Sequence, residues 1–455
     1  MKRIRIGNGA GFWGDNLDAP RTLVESAELD YLTLEYLAEL TLSILARLKE
    51  KDPTAGYAHD ILPVMRSLVP ALKAQPKLKI ITNAGGMNPA SCAKAVAAIL
   101  SEAGLGDLKI GVVSGDDLLP RIAELQQSGC RFENLDDGRP ISELKQPVVS
   151  ANAYLGAKPI AEALAAGARI VITGRVADAS LTVGPAMHEF GWKWDDWNKL
   201  AGASVAGHLI ECGAQATGGY LSGNIHLELY KVGYPIAELA ADGTSIITKP
   251  AGSGGRVDRL TVASQLVYEI GDPQHYLTPD VDCDFTTVTL DEAGDERVAV
   301  HNATGHSAPP TLKVSLAYRD GFIADGRLLV YGDDCIAKAR ECAAIIWQKL
   351  AAAGFTYERT NVELLGIGDG VPGLAPPPQG LREVLLRLAV HDSRREAVER
   401  FTREFAPLAT SGPAGLAGYT QARGEVRPVF AYWPTLVPRE LMQPHVDVRP
   451  AKERL

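Results

Sequence analysis

The chain has 455 residues, of which 46% are hydrophobic and 22% charged, a balance that suits a globular protein of two or three domains. A formal charge of −9 with no basic run argues against nucleic acid as a partner. No apolar run approaches the roughly 20 residues of a membrane span, and the start, MKRIRIGNGAGFWG, turns to Gly and Asp before a signal-type apolar core can form. Cys92, Cys130, Cys212, Cys283, Cys335 and Cys342 lie scattered without C-x-x-C spacing, so a reducing, cytoplasmic setting is expected.

Residues 1–220 repeat one pattern: a short β-branched run, a polar or glycine-rich turn, then a helix with apolar periodicity. The predicted strands are Arg3–Gly7, Tyr31–Tyr36, Lys79–Thr82, Lys109–Val113, Pro147–Ser150 and Arg169–Thr173. The predicted helices are Leu37–Lys51, Asp60–Ala74, Pro89–Ala103, Leu118–Ser128, Pro159–Ala166 and Trp194–Cys212. This alternation predicts an α/β domain over 1–220 with a mainly parallel, doubly wound, Rossmann-like sheet. Six units fall short of the eight that a barrel needs.

Beyond Tyr220 the rhythm changes. "DFTTVTL", "ERVAVHNATG" and "TLKVSLAYRDGFIADGRLLVYG" alternate as antiparallel strands do. A helix "DDCIAKARECAAIIWQKLAAAG" with Gly354 as its stop follows, then a strand "NVELLGIG" and a helix "REAVERFTREFA". These predict a smaller α+β domain over 221–424. The Pro- and Arg-rich residues 425–455 are expected to lie over the surface as a tail.

In open parallel sheets, ligands bind beyond the carboxyl ends of the strands. Here those ends read "GNGAGFWGDN", "TNAGGMNP", "SGDD", "SANAYLGAKP" and "TGRVAD". Asp15, Asn83, Gly85, Gly86, Asn88 and Asn152 are therefore candidate substrate-binding residues. Ordinary turn chemistry uses the same residue types, so both readings stand. Gly9-Ala10-Gly11-Phe12-Trp13-Gly14 is a GxGxxG, and Glu35 lies where a ribose-binding acid would fall, which keeps a nicotinamide-dependent oxidoreductase in view. Phe12 and Trp13 are bulky for a pyrophosphate turn, and the expected ligand is not a dinucleotide.

"GHLIECGAQATGGYLSG" concentrates polar groups at the end of a predicted helix. His208 faces Glu211 and Cys212 at i+3 and i+4. A carboxylate beside an imidazole makes a general acid/base pair; with Cys212 the same residues are candidate ligands of a divalent metal, although one helix alone would be crowded. Gln215, Thr217 and Gly218 form the loop that follows and join the substrate-binding candidates. Arg175 and Asp178, just after the strand "ARIVIT", suit either a clamp on an anion or an internal pair that fixes the loop. A capped helix whose His and Glu bond to backbone is the plain alternative for the His208 segment.

"GFWGDN", "DYLTLEYLAE", "NAGGMNPASCA", "TGRVADASLTVGPAMHEFGWKWDDW", "AGHLIECGAQATGG", "ADGTSIITKPAGSGG", "YEIGDPQHYLTPDV" and "KVSLAYRDGF" together resemble the acyclic terpene utilisation family named after AtuA, from Ile4 to about Gly415. The resemblance implies a place in the breakdown of acyclic terpenes and other branched carboxylic acids as coenzyme A thioesters. "HNATGHSAPPTLKV" departs from the family pattern, so His301 and His306 carry nothing over.

The expected protein is a hydratase or lyase acting on a small carboxylate or acyl-CoA. His208 and Glu211 would serve as acid and base. Arg175, braced by Asp178, would hold the substrate oxygen together with backbone N–H groups of the Asn83–Gly86 and Asn152–Gly156 turns. Coenzyme A is expected only as part of the substrate, and a homo-oligomer is expected for a cytoplasmic enzyme of this size. An acyl-CoA hydrolase and a non-catalytic ligand-binding subunit are the other readings.

Overall fold

A computed structural model describes residues 2–223, 227–373, 378–418 and 424–455. The strands of the first half are β1 (Arg3–Asn8), β2 (Tyr31–Leu34), β3 (Lys79–Thr82), β4 (Lys109–Ser114), β5 (Val148–Ala153) and β6 (Ile170–Thr173). Its helices of six residues or more are α1 (Ala19–Ser26), α2 (Thr41–Lys51), α3 (Ile61–Ala74), α4 (Pro89–Glu102), α5 (Ile122–Gln127), α6 (Lys158–Ala165), α7 (Ser180–Phe190) and α8 (Trp197–Glu211). α1 and α7 lie outside the six helix ranges given above. Pro20 occupies the first turn of α1, where no N–H is needed. α7 contains Pro185 and stops at Gly191 in the left-handed conformation, so His188 and Glu189 sit in its last turn.

The protein is a mixed α/β fold around a ten-stranded mixed sheet. β1, β2, β3, β6 and β4 are parallel neighbours in that order. On the β1 side the sheet continues through Ile236–Ala240, Ser245–Thr248, Val298–His301 and Thr289–Glu292, each antiparallel to its neighbour. On the β4 side His445–Pro450 adds one more antiparallel strand. The expected mainly parallel, doubly wound sheet is thus a parallel centre inside antiparallel wings. Parallel strands need a crossover, whereas Ile236–Ala240 and Ser245–Thr248 are joined by a tight turn at Gly243, which only an antiparallel pair permits. β5 leaves the large sheet and pairs with the strand Thr311–Tyr331.

The central strands are apolar on both faces, as strands covered by helices on each side must be. Leu32, Leu34, Ile80, Ile110 and Ile172 pack with Val64 and Leu68 of α3 and Val96 and Leu100 of α4. α8 is buried all round, with Leu200 through Ile210 shielded from solvent. A helix of that kind belongs in the interior. Gly207 permits its close approach to the turn before α7, since a Cβ there would stand 2.8 Å from Ala179 Cα.

The chain divides into two compact units, Met1–Ala317 with Tyr432–Leu455, and Tyr318–Ala431. Residues 236–301, read above as part of a second domain, supply four strands of the first unit's sheet. The C-terminal residues do not drape over a surface. His445–Pro450 completes an edge of the sheet, and Trp433 is 1% exposed with Nε1 donating to Phe132 O. In the second unit, Glu383–Asp392 pairs antiparallel with Arg359–Leu365 and with residues 322–331. The helices Cys335–Ala352 and Arg395–Thr402 cover it through Ile346, Leu350, Val398 and Phe401.

Candidate active site

Because β1, β2, β3, β6 and β4 run parallel, the turns that follow them share one edge of the sheet. The turn after β5 joins that edge by hydrogen bonds: Asn152 Nδ2 donates to Asp116 Oδ2 at 2.8 Å, and Leu155 N donates to Arg175 O at 3.2 Å. Asp116 Oδ2 also accepts from Arg175 N at 2.9 Å. Burial pushes the Asp116 carboxyl up to about 6, against these hydrogen bonds.

Arg175 is 1% exposed. Its Nη1 donates to Leu37 O at 2.7 Å and stands 2.9 Å from Asp178 Oδ1 and 3.9 Å from Glu35 Oε1. Its guanidinium lies 4.0 Å from the centre of the Tyr154 ring. Glu35 is equally enclosed: Oε1 accepts from Leu37 N at 2.9 Å and from Asn83 Nδ2, while Oε2 has no partner. Burial and the nearby Asp178 hold the Glu35 carboxyl well above the usual range, although Arg175 and Asn83 pull the other way. Burial likewise pushes Asp178 up to about 7 against the pull of Arg175, with Glu211 and Glu39 adding to the rise.

His208 brings a polar ring into the apolar helix α8, and a buried polar group must find partners. Nε2 lies 2.9 Å from Gln265 O, and Nδ1 lies 3.3 Å from Glu211 Oε1. The carbonyl is an acceptor, so Nε2 carries hydrogen; Nδ1 then faces a carboxyl oxygen, and the two share a further proton. Gln265 Nε2 returns a bond to His208 O at 3.1 Å. Burial alone would lower the imidazole, but the Glu211 hydrogen bond and charge, with the Gln265 carbonyl, raise it above its ordinary value. Glu211 Oε2 is buried without a partner.

These groups meet at one cavity of about 370 Å³. Arg175, Asp178, His208 and Glu211 line it, as do Glu39, Tyr154, Glu269, Tyr276 and Lys313. Leu135, Leu277 and Leu436, which are 53%, 62% and 39% exposed, make its rim apolar. Lys313 Nζ reaches Glu39 Oε1 at 3.4 Å and lies 5.0 Å from the Tyr154 ring centre. Glu39, Tyr154, Tyr276, Glu269 and Lys313 were not singled out in the sequence. Tyr154 lies within a strand-end segment, and Glu39, Glu269, Tyr276 and Lys313 lie in stretches that carry the family resemblance, which assigns them no role.

The other candidates serve the scaffold. Asn83 Oδ1 accepts from Tyr36 N at 2.8 Å, and Asn88 caps α4 through Ser91 N while donating to Pro53 O and Ala55 O. Gly85 packs on Thr173 and Pro89, and Gly86 and Gly218 take positive φ. Thr217 Oγ1 donates to Gly233 O at 2.6 Å. Asp15 accepts from Gly11 N and from the Tyr234 hydroxyl. Gln215 lines a separate hollow beside Thr261 and Tyr268. None of these eight, nor Asn152, lines the larger cavity. Several of the N–H groups expected to hold a substrate oxygen are already bonded: Ala84 to Thr82 Oγ1, Gly86 to Asn83 O, Ala153 to Asp116 O, Tyr154 to Lys313 O and Leu155 to Arg175 O. Burial pushes the Cys212 thiol up to about 12, and among the described residues no group of three or more His, Cys, Asp or Glu is arranged to hold a metal. Two glycines of the triplet are explained by packing, since a Cβ on Gly11 would stand 2.8 Å from the Cys212 carbonyl carbon and one on Gly9 2.9 Å from Pro20 Cα, and Gly14 by its φ of +101°.

Fold and site together define a mixed α/β protein with a charge-lined cavity at the carboxyl edge of its parallel strands. The chain belongs to the acyclic terpene utilisation family AtuA, whose sequence model matches residues 4–448. No curated protein and no solved structure was found to match it. Among the described residues, no helix is long and apolar enough to cross a membrane.

Proposed function

We propose that this protein is an enzyme of acyclic terpene utilisation that adds or removes water across a carbon–carbon double bond of a small branched acid or its thioester. The observation that carries this reading is the pairing of two carboxyl groups on one cavity in opposite settings. Asp178, pushed up to about 7 by burial, suits a proton donor. Glu211, facing the raised imidazole of His208, suits the base that accepts a proton from water. His208 is tied to a carbonyl on its far nitrogen, so it acts through Glu211 and is a positioning residue. In hydration, Asp178 gives its proton to one alkene carbon, water adds to the other, and Glu211 takes the proton that water loses.

A cavity of about 370 Å³ is at the small end of ligand sites. It suits an acyl group, with any coenzyme A portion outside. The test is turnover of branched unsaturated acids and their thioesters by the wild type, Glu211→Gln and Asp178→Asn. Each variant should lose on the order of 100-fold in turnover while remaining folded. Turnover unaffected by both substitutions would sink the reading.

A further inference from the structure

We propose that the free edge of the ten-stranded sheet is an interface at which a second copy of this chain pairs strand to strand. That edge is Thr289–Glu292, which pairs only with Val298–His301. Ala293 N donates to Arg297 O at 2.9 Å, and bonding alternates along the hairpin, so Thr289 and Asp291 direct their backbone groups inward. Leu290 and Glu292 therefore turn their N–H and C=O outward, and among the described residues these groups have no backbone partner. The opposite edge, His445–Pro450, is blunted. Pro444 precedes it, Pro450 ends it, and Asp447 is ion-paired to Arg449 and Arg454. Thr289–Glu292 contains no proline, and its Glu292 carboxylate is engaged by Arg259 N at 2.9 Å.

The helix beside this edge is also unfinished on its outer side. α9 (Arg259–Leu266) lies along the strand, and a hollow of about 760 Å³ between them is lined by Leu260, Ala263, Leu266, Val288 and Leu290. Surface helices carry charge on their outer face. α9 instead shows solvent Ser264 and Leu260, which is 57% exposed, with Val267, 70% exposed, just past its end. Two copies of a chain with a net charge of −9 can meet closely only where charge is sparse.

The charges on the strand select a second copy as the occupant. Antiparallel pairing about a two-fold axis can centre on Leu290, Asp291 or Glu292. The last two centres set carboxylates face to face, which is destabilising. Centring on Leu290 sets that residue against Leu290 of the second copy, and Thr289 against Asp291, so no like charges are opposed. The two leucines then exchange both backbone bonds, and their side chains enter the hollow beneath α9. An extended peptide from another protein would gain the same few bonds from so short an edge without covering Leu260. α9 also carries Gln265, whose carbonyl holds His208, so pairing braces the helix behind the cavity.

Sedimentation and light scattering of the purified full chain test this. The wild type is expected at twice the chain mass of 48.6 kDa, or an even multiple of it. Leu290→Arg, which sets two cations on the axis, should halve that mass with an unchanged circular dichroism spectrum. Leu290→Cys should form an intermolecular disulfide on mild oxidation, since the Cα atoms of a bonded antiparallel pair stand ~5.5 Å apart. His445→Cys, on the opposite edge, should not. Should Leu290→Arg fail to fold, the crosslink decides by itself. A monomeric wild type, a mass that Leu290→Arg leaves unchanged, or a Leu290→Cys crosslink that is absent or no stronger than that of His445→Cys overturns the proposal.

Discussion

At the turn after β3, Asn83 and Asn88 direct their amide groups onto Glu35, Tyr36 N, Pro53 O and Ala55 O. At the end of α8, His208 is fully engaged, yet the Glu211 beside it keeps one carboxyl oxygen without a partner. Both regions are polar, glycine-flanked and close to the same sheet edge. They differ in whether their hydrogen-bonding capacity is exhausted internally. A buried polar atom without a partner costs about 1–3 kcal/mol, so a site that retains several is a better place to look for chemistry than a turn rich in Asn and Gly.

The largest effect that would sharpen this contrast comes from Arg175. Removing it in Arg175→Ala leaves the buried Glu35 and the partly exposed Asp178 without their cation, and a loss of about 3–5 kcal/mol is expected. Thermal unfolding checks this. An unchanged melting temperature would mean that Arg175 serves a ligand rather than the scaffold.

A smaller effect is expected in the motif-like turn. Gly11→Ala pushes a methyl against the Cys212 backbone and should cost about 1–3 kcal/mol. It should leave no nucleotide affinity to lose, which titration of NAD and NADP by tryptophan fluorescence would show. Saturable binding in the wild type that weakens in the variant would restore the oxidoreductase reading. Asn83→Ala should act in the same range, about 1–3 kcal/mol, without changing turnover per folded molecule.

The last effect is read as a slope with pH. Asp116 and Asp178 are raised from 3.8 to about 6 and about 7, and His208 is raised as well. Groups with a raised folded pKa bind protons more tightly in the native state. Their stabilisation is full below the unfolded value and is lost as pH climbs through the folded one. Melting temperature should therefore fall between about pH 4 and about pH 7 at these sites, and Asp178→Asn should flatten the fall. An equal slope in the variant would show that Asp178 is not raised.

The central strands and α3, α4, α6 and α8 were readable because continuous apolar runs and helical spacing are local signals. The partners of the strands were not. β5 reads like its neighbours, yet pairs with a strand more than 150 residues later, and nothing in "PVVSANAY" encodes that choice. The meeting of His208, Glu211, Arg175 and Asp178 at one cavity followed from placing both segments at strand or helix ends. Tyr276 and Lys313 could not be foreseen, because their position depends on long-range pairing. Asn83, Asn88, Asp15 and Thr217 look like ligand contacts in sequence because turns and sites draw on the same residues.

The clasp between His208 and Gln265 has a spectroscopic consequence. An imidazole N–H that is sealed from water and bonded to a backbone carbonyl exchanges slowly, so His208 Hε2 should appear as a discrete downfield proton resonance. Since the opposite nitrogen shares its proton with Glu211, that line should shift as the pair titrates or as a ligand enters, reporting on the cavity without any turnover.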